Sequence, residues 1–267
     1  MEKRTILWAF SLINSLLIIY TSLQGLCSPS IYANETENWM TQSMGQDLIN
    51  LSIIPFYIFT SSYRHKSTSH FPLLWAGTTI YFIYTYLIYC FDIHFNSLFV
   101  LYCLILCVNF LPAARLCLFL PKCIFSNQQA GSQKGYRRLF CVFISVLFTL
   151  LWLSEIIPAT LAGNIPASLE KAGLFTNPVE VLDLSFVLPG ILISGFLLLR
   201  EAPSGCFLAP VVLTFLLLME FTIGILIIIL WQKGLEEYPQ VTWILFGLTA
   251  INLVLLILHV KLNRFTL

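Results

Sequence analysis

FLAPVVLTFLLLMEFTIGILIIILW, residues 207–231, decides the fold class of this chain. The segment is long enough to cross the hydrocarbon core of a bilayer as one helix, and Glu220 is its only charged residue. An acid near the middle of such a helix costs roughly 2.5–3.5 kcal/mol on insertion scales. We therefore expect a transmembrane helix in which Glu220 faces a protein interior or a wet cavity.

The composition of the whole chain extends this conclusion beyond one segment. Of the 267 residues, 58% are hydrophobic and 10% are charged, and the mean hydropathy is +0.85. Soluble domains carry about 25% charged residues, so this balance excludes a soluble and a disordered protein. The net charge of +1 is spread along the chain, which excludes a nucleic-acid partner. The bilayer is therefore the expected solvent.

Apolar runs of similar length recur along the chain and predict an all-α, polytopic transmembrane helix bundle of about eight spans, forming a single domain over 1–267. An N-terminus in the cytoplasm places 12 of the 14 Lys and Arg residues at inner ends. This bias predicts a cell (inner) membrane protein with both termini cytoplasmic. Cleavage of the first span as a signal peptide is the alternative, and it would leave seven spans. The predicted spans are about 5–26, 44–62, 71–91, 97–120, 139–161, 179–199, 207–231 and 241–260.

The two halves of the chain, 1–133 and 137–267, show traces of a parallel 4+4 repeat. A shift of 136 residues places Asp47 on Asp183 and Thr78 on Thr214. Some transporters consist of such repeats. The alternative is that any eight-span protein has halves of similar length, and the matching residues are few.

Four acids lie inside the predicted spans and are the candidate binding residues: Asp47, Glu155, Asp183 and Glu220. By depth, three fall in the outer half of the membrane and Glu220 near its middle. We expect them to line one outward-opening polar cavity, because four carboxylates left separately in lipid would cost roughly 10 kcal/mol or more. The alternatives are helix capping by Asp47 and Asp183 and an interhelical hydrogen bond by Glu220. Glu180 is expected to be a solvated residue at a helix end.

Other reactive side chains give weaker patterns. The eight cysteines follow no metal spacing, although Cys27 and Cys90 both fall near the outer face and allow a disulfide. Asp92 and His94, together with Asp47, could form an outer metal site, but two spaced residues are weak evidence, so no metal and no cofactor are predicted. The sequence contains no G-x-S-x-G, H-E-x-x-H or Walker A motif.

Two regions carry short motifs: GQDL at 45–48, LWAG at 74–77 and YFIY at 81–84 in the first, TNPV at 176–179 and VLDLSFVLP at 181–189 in the second. In these motifs the chain resembles a family of uncharacterised prokaryotic multi-pass membrane proteins. The resemblance covers about residues 44–225 and implies an inner-membrane setting. It carries no known activity, so it assigns no role to any residue.

Three functions stay open at this point. The first is a small transporter whose acidic cavity takes a cation or a small polar ligand. The second is a non-catalytic sensor or assembly subunit whose polar residues only hold helices together. The third is a membrane-embedded enzyme acting on a lipid or a quinone. Acids gathered on one wet cavity would favour the first and third, and separately hydrogen-bonded acids would favour the second.

Overall fold

The protein is a bundle of α-helices in a computed structural model that describes residues 2–28, 30–62, 70–119, 134–200, 202–235 and 240–262. The all-α prediction is confirmed for these residues. The helices are α1 (Glu2–Cys27), α2 (Glu37–Ser62), α3 (Phe71–Phe91), α4 (Phe99–Phe119), α5 (Lys134–Ala162), α6 (Ala167–Ala172), α7 (Pro178–Leu182), α8 (Leu188–Leu199), α9 (Pro203–Gln232) and α10 (Gln240–Leu262), with a π-helical turn, Asp183–Val187, between α7 and α8.

Within the described residues, six helical segments are long and apolar enough to cross a membrane, which is consistent with a multi-pass membrane protein. The predicted count of about eight spans is not confirmed. The helix α2 falls short because it carries polar residues such as Ser43, Asp47 and Asn50, all of which are buried. A helix that packs against neighbours on several sides needs no continuous apolar surface. The six segments are Trp8–Cys27, Phe71–Phe91, Leu139–Ala162, Pro178–Leu199, Pro203–Gln232 and Gln240–Lys261.

The helices α3 and α9 pack against each other at the centre of the bundle. They approach closely at Gly77, where a Cβ atom would lie 2.6 Å from the carbonyl oxygen of Val211 and 2.6 Å from Cβ of Thr214. A glycine here permits a backbone contact that no other residue allows.

Helices pair in the same order on both sides of the centre. The helix α1 packs against α2, and α3 against α4; in the second half α5 packs against α8, and α9 against α10. This is the order that a parallel repeat would produce. The duplication of 1–133 and 137–267 itself stays a prediction.

Buried polar side chains join the helices of the first half. Asn14 of α1 and Asn109 of α4 donate to each other's carbonyl oxygens over 2.9 and 3.0 Å, and both are fully buried. Thr21 of α1 and Tyr86 of α3 share a hydrogen bond of 3.0 Å. Within hydrocarbon such bonds hold helices together where apolar packing alone cannot discriminate between neighbours.

One end of the bundle gathers three connecting segments, 28–36, 92–98 and 163–177, and is called the long-loop face below. Thr36 donates its hydroxyl to the carbonyl oxygen of Ala172 over 2.7 Å. His94 donates its backbone N–H to Glu35 over 2.7 Å. These bonds bring the three segments together over the ends of α1, α2, α3 and α5.

Candidate functional site

A cavity of about 470 Å³ opens on the long-loop face between α2, α3, α5, α9 and the segment 167–179. It is called the loop-face cavity below. Its volume falls within the range of small-molecule sites, roughly 300–1,000 Å³. The cavity is therefore large enough for a ligand of drug or lipid-fragment size.

One wall of the loop-face cavity is a stripe of α9. It consists of residues that recur at helical spacing, Met219, Thr222, Ile223, Leu226 and Leu230. The helix α2 passes this stripe closely, because a Cβ atom on Gly45 would lie 2.6 Å from Cδ2 of Leu226. The wall offers a ligand an apolar surface along about three helical turns.

The facing wall carries neutral polar groups. Gln42 of α2 donates to Asn38 over 2.7 Å, and both line the cavity. Deeper along α2, Gln46 donates to Tyr81 of α3 over 2.8 Å, and Tyr81 shares a hydrogen bond of 3.1 Å with Thr222 of α9. This chain of amide, phenol and hydroxyl groups joins three helices and leaves the wall uncharged.

Asp47 lies behind this wall rather than on it. Its carboxylate is 1% exposed and accepts hydrogen bonds from the phenols of Tyr32, over 2.6 Å, and Tyr89, over 3.0 Å. Tyr89 lines the cavity, whereas Asp47 does not. Burial, with Asp47 beside it, raises the pKa of Tyr32 well above its ordinary value, so this loop tyrosine stays a donor.

Asp183 holds a second pair of cavity residues. It begins the π-helical turn and accepts from the phenol of Tyr84, over 3.1 Å, and from the indole N–H of Trp152, over 3.0 Å. Tyr84 belongs to α3 and Trp152 to α5, and both line the cavity. The π turn places the carboxylate between these helices, since Leu188 bonds back to the carbonyl of Asp183 and the chain makes a wider turn there.

Glu155 positions the first residues of α6. Its carboxylate accepts from the backbone N–H of Ser168 over 3.1 Å, and Ser168 lines the cavity. A carboxylate suits the start of a helix because it satisfies a free N–H group. Glu155 thus acts on the cavity through Ser168.

Glu220 is the deepest of the four acids. It is 3% exposed, and it accepts from the amide of Asn252 of α10 over 3.2 Å. Its other carboxylate oxygen and the carbonyl oxygen of Asn252 have no partner among the described residues. Met219, Thr222 and Ile223, its neighbours on α9, line the cavity, whereas Glu220 itself does not line it.

The structure therefore separates the four predicted acids and gives each its own partners. None of them lines the loop-face cavity, and three of them hold residues that do. Their role as binding residues stays a prediction. The interhelical hydrogen bond expected as the alternative for Glu220 is present.

Several expectations about helix ends are wrong. Asp47 lies in the middle of α2, because that helix begins at Glu37, ten residues before Asp47. Asp183 caps no helix start either, since α7 begins at Pro178 and Asn177 is its N-cap. Glu180 is buried and accepts from the Asn177 amide over 3.0 Å, so it is not a solvated end residue.

The most informative residues that sequence reasoning missed are Tyr32, Tyr89 and Trp152, the donors to Asp47 and Asp183. Long-range partners of this kind leave no local pattern. Asn177 did leave a signal: an Asn followed by Pro178 and, three residues on, by Glu180 is typical of a helix start. That signal marks α7 correctly.

The remaining expectations concern metal and sulfur. Among the described residues, no three His, Cys, Asp or Glu side chains lie where they could hold a metal ion, so Asp92 and His94 do not form a site with Asp47. Instead His94 pairs with Glu35, with 3.0 Å between Nδ1 and Oε2. Cys27 and Cys90 are free thiols in the structure, and the predicted option of a disulfide is not realised.

Comparison with known proteins adds no relative to this picture: no protein-family model matches the chain, and no curated protein or solved structure matches it.

Proposed function

We propose that this multi-pass membrane protein binds a small, largely apolar molecule in the loop-face cavity and acts as a membrane sensor or carrier for it. The observation that carries the proposal is the chemistry of the cavity. An apolar stripe of α9 faces neutral amide, phenol and indole groups, and the described lining contains no carboxylate. Ligand sites of this volume are commonly apolar with a few placed polar groups.

The acids support this proposal by their positions. A cation would need carboxylates or several oxygens within the cavity. The carboxylate oxygens of Asp47 and Asp183 instead accept hydrogen bonds from Tyr32, Tyr89, Tyr84 and Trp152. They fix the aromatic side of the cavity and do not touch its contents. The described lining contains neither a histidine nor a carboxylate, the most frequent general bases, which favours binding over catalysis.

The test is to fill the cavity with a larger side chain and to measure which small molecules remain bound to the protein. Ile223→Trp places an indole into the cavity, while Phe221→Trp, two residues away at a position 41% exposed, adds the same group on the outside of α9. Both proteins are purified in a mild detergent, and bound small molecules are identified by native mass spectrometry. We expect a co-purifying molecule in the wild type and in Phe221→Trp, and a loss of roughly fivefold or more in Ile223→Trp, about 1 kcal/mol of binding. Equal occupancy in all three proteins would contradict the proposal.

A second candidate, proton-coupled transport, is favoured by one observation. Glu220 is buried beside the α9 wall, and one of its oxygens has no partner within the described part of the chain. In this reading Glu220 carries a proton while the cavity carries the solute. Asp47, Glu155 and Asp183 would tune access to it.

Reconstituted vesicles distinguish this candidate from simple binding. With a pH dye inside the vesicles, Glu220→Gln should abolish a solute-dependent pH change, and Glu180→Gln should leave most of it. Glu180 is the matched control because it is also buried but bonds to Asn177 at the long-loop face. The absence of any pH change in the wild type, with ligand bound to the cavity, would leave the sensor function standing and reject transport coupled to protons.

A further inference from the structure

We propose that the molecule bound in the loop-face cavity is an amphipath whose polar end carries a carbonyl oxygen that accepts hydrogen bonds from Trp39 and Ser168 at the long-loop end, and whose apolar part lies along the α9 stripe. This inference rests on the proposed function and names the chemical class of the ligand. It predicts the orientation of the bound ligand and the side chains that discriminate it from a plain hydrocarbon.

The first observation is an indole N–H with no acceptor. Trp39 of α2 is 8% exposed and lines the cavity, and its Nε1 has no hydrogen-bond partner among the described residues. A buried tryptophan N–H normally finds an acceptor, because leaving it unpaired costs free energy. A ligand oxygen beside Trp39 would supply that acceptor.

The second observation is a hydroxyl that also has no hydrogen-bond partner in the described part of the chain. Ser168, at the start of α6, lines the cavity, and its Oγ has no partner in the described structure. Its backbone N–H is already bonded to Glu155, so the residue is held in place while its hydroxyl stays available. A carbonyl oxygen has two lone pairs and accepts from an indole and a hydroxyl together.

Thr36 links the two helices that carry these donors. Its Oγ1 accepts from the backbone N–H of Trp39 over 3.2 Å and donates to the carbonyl oxygen of Ala172, the last residue of α6, over 2.7 Å. The first turn of α2 and the helix α6 are therefore fixed to each other. Trp39 and Ser168 thus line the cavity from two helices that are bonded to each other at the long-loop face.

The charge of the cavity lining further limits the chemical class of the ligand. Lys171 is the one charged side chain in the described lining, and it lies at this same end, on α6. A cationic head is disfavoured beside it, whereas the carbonyl of an ester, an amide, a quinone or a carboxylic acid is compatible. Away from this end the ligand meets Met219, Ile223 and Leu226, which suit an alkyl or isoprenoid chain.

The experiment compares two photoreactive probes of equal chain length, each with a diazirine in the chain. One ends in a methyl ester, and the other is the hydrocarbon without the ester. Protein in nanodiscs is labelled, and mass spectrometry measures the label on the peptide that contains residues 219–230. Wild-type protein should be labelled by the ester probe about fivefold more than by the hydrocarbon, the worth of one net hydrogen bond.

Trp39→Phe and Ser168→Ala each remove a donor without removing any side-chain hydrogen bond that the structure contains for that donor atom. Each should lower the labelling ratio towards one while hydrocarbon labelling stays unchanged, which also shows that the variant is folded. An equal response to both probes in the wild type, or a ratio unaffected by both substitutions, would overturn the inference. If Ile223→Trp fails to reduce labelling by either probe, the cavity is not the binding site and the proposed function fails with it.

The source of the carbonyl is identified by the lipid of the nanodisc. If a phospholipid of the bilayer occupies the cavity through its ester group, labelling by the ester probe should rise in nanodiscs made from ether-linked lipid, where that competitor is missing. If a separate amphipath is the ligand, the linkage should make no difference. Each result supports a carbonyl-bearing occupant and tells the two sources apart, provided that the ester preference itself is observed.

Discussion

Tyr32 donates its phenol hydroxyl to Asp47 over 2.6 Å, and this bond joins the segment between α1 and α2 to the buried middle of α2. Tyr32 is 2% exposed and Asp47 is 1% exposed. Tyr89 of α3 donates to the other oxygen of the same carboxylate, so one acid connects a loop and two helices. The long-loop face is organised around this contact.

Tyr32→Phe should destabilise the protein by roughly 1–3 kcal/mol, because it leaves a buried carboxylate oxygen without its donor. The measurement is the thermal unfolding midpoint in detergent. Tyr20→Phe is the matched control, since Tyr20 on α1 is 52% exposed and its substitution should change the midpoint little. Equal effects of the two substitutions would show that the bond to Asp47 contributes nothing.

Gly25→Ala should be destabilising by about 1–3 kcal/mol through overpacking. A Cβ atom at Gly25 would collide with Oδ2 of Asp47 and lie 2.7 Å from the hydroxyl of Tyr32, so the helix α1 would have to move away from α2. Gly247→Ala in α10 is the control, because a Cβ atom there meets nothing within 4 Å. That substitution should be neutral or stabilising by up to about 1 kcal/mol through helix propensity.

The raised pKa of Asp92, at the long-loop face, predicts that the stability of the protein depends on pH. Burial, with the Glu35 carboxylate as a smaller cause, raises the pKa of Asp92 to about 6 from an ordinary value of 3.8, and His94 opposes the shift. The folded state thus binds the proton more tightly, so stability falls as pH rises from about 4 to 6 and stays lower above that. The effect should be about 1 kcal/mol or less, because Asp92 is only partly buried.

Asp92→Asn should remove this pH dependence and make the protein slightly more stable than the wild type at pH 7.5. Unfolding midpoints of both proteins between pH 4.5 and 7.5 measure the difference directly. A wild-type protein that gains stability relative to Asp92→Asn as pH rises would reverse the predicted sign.

The topology is testable with a reporter at the C-terminus. From the distribution of Lys and Arg, a reporter fused after Leu267 should behave as cytoplasmic. An external signal would contradict this topology and would indicate an odd number of spans, such as seven or nine. The mass of the purified protein checks whether the first helix is retained in the mature protein.

Composition and the apolar runs were sufficient to predict a membrane-embedded, all-α chain, and six apolar helices support it. The reason is that hydrocarbon forces each span to satisfy its own backbone, so a span is a local property of the sequence. The acids in the spans accept hydrogen bonds from other parts of the chain. Their partners were not predictable, because Asp47 and Asp183 are bonded to residues up to 99 positions away.

The sequence by itself determined the fold class, most helix positions and the presence of polar groups within the bundle. The tertiary structure decided which groups meet. It placed Asp47, Glu155 and Asp183 behind the cavity wall and left Trp39 and Ser168 with unused donors at its end. Helical periodicity fixes the direction of a side chain only relative to its own helix, whereas the contents of a cavity depend on how helices distant in sequence cross. Here that crossing is fixed by close contacts such as Gly77 against Thr214, which no local pattern specifies.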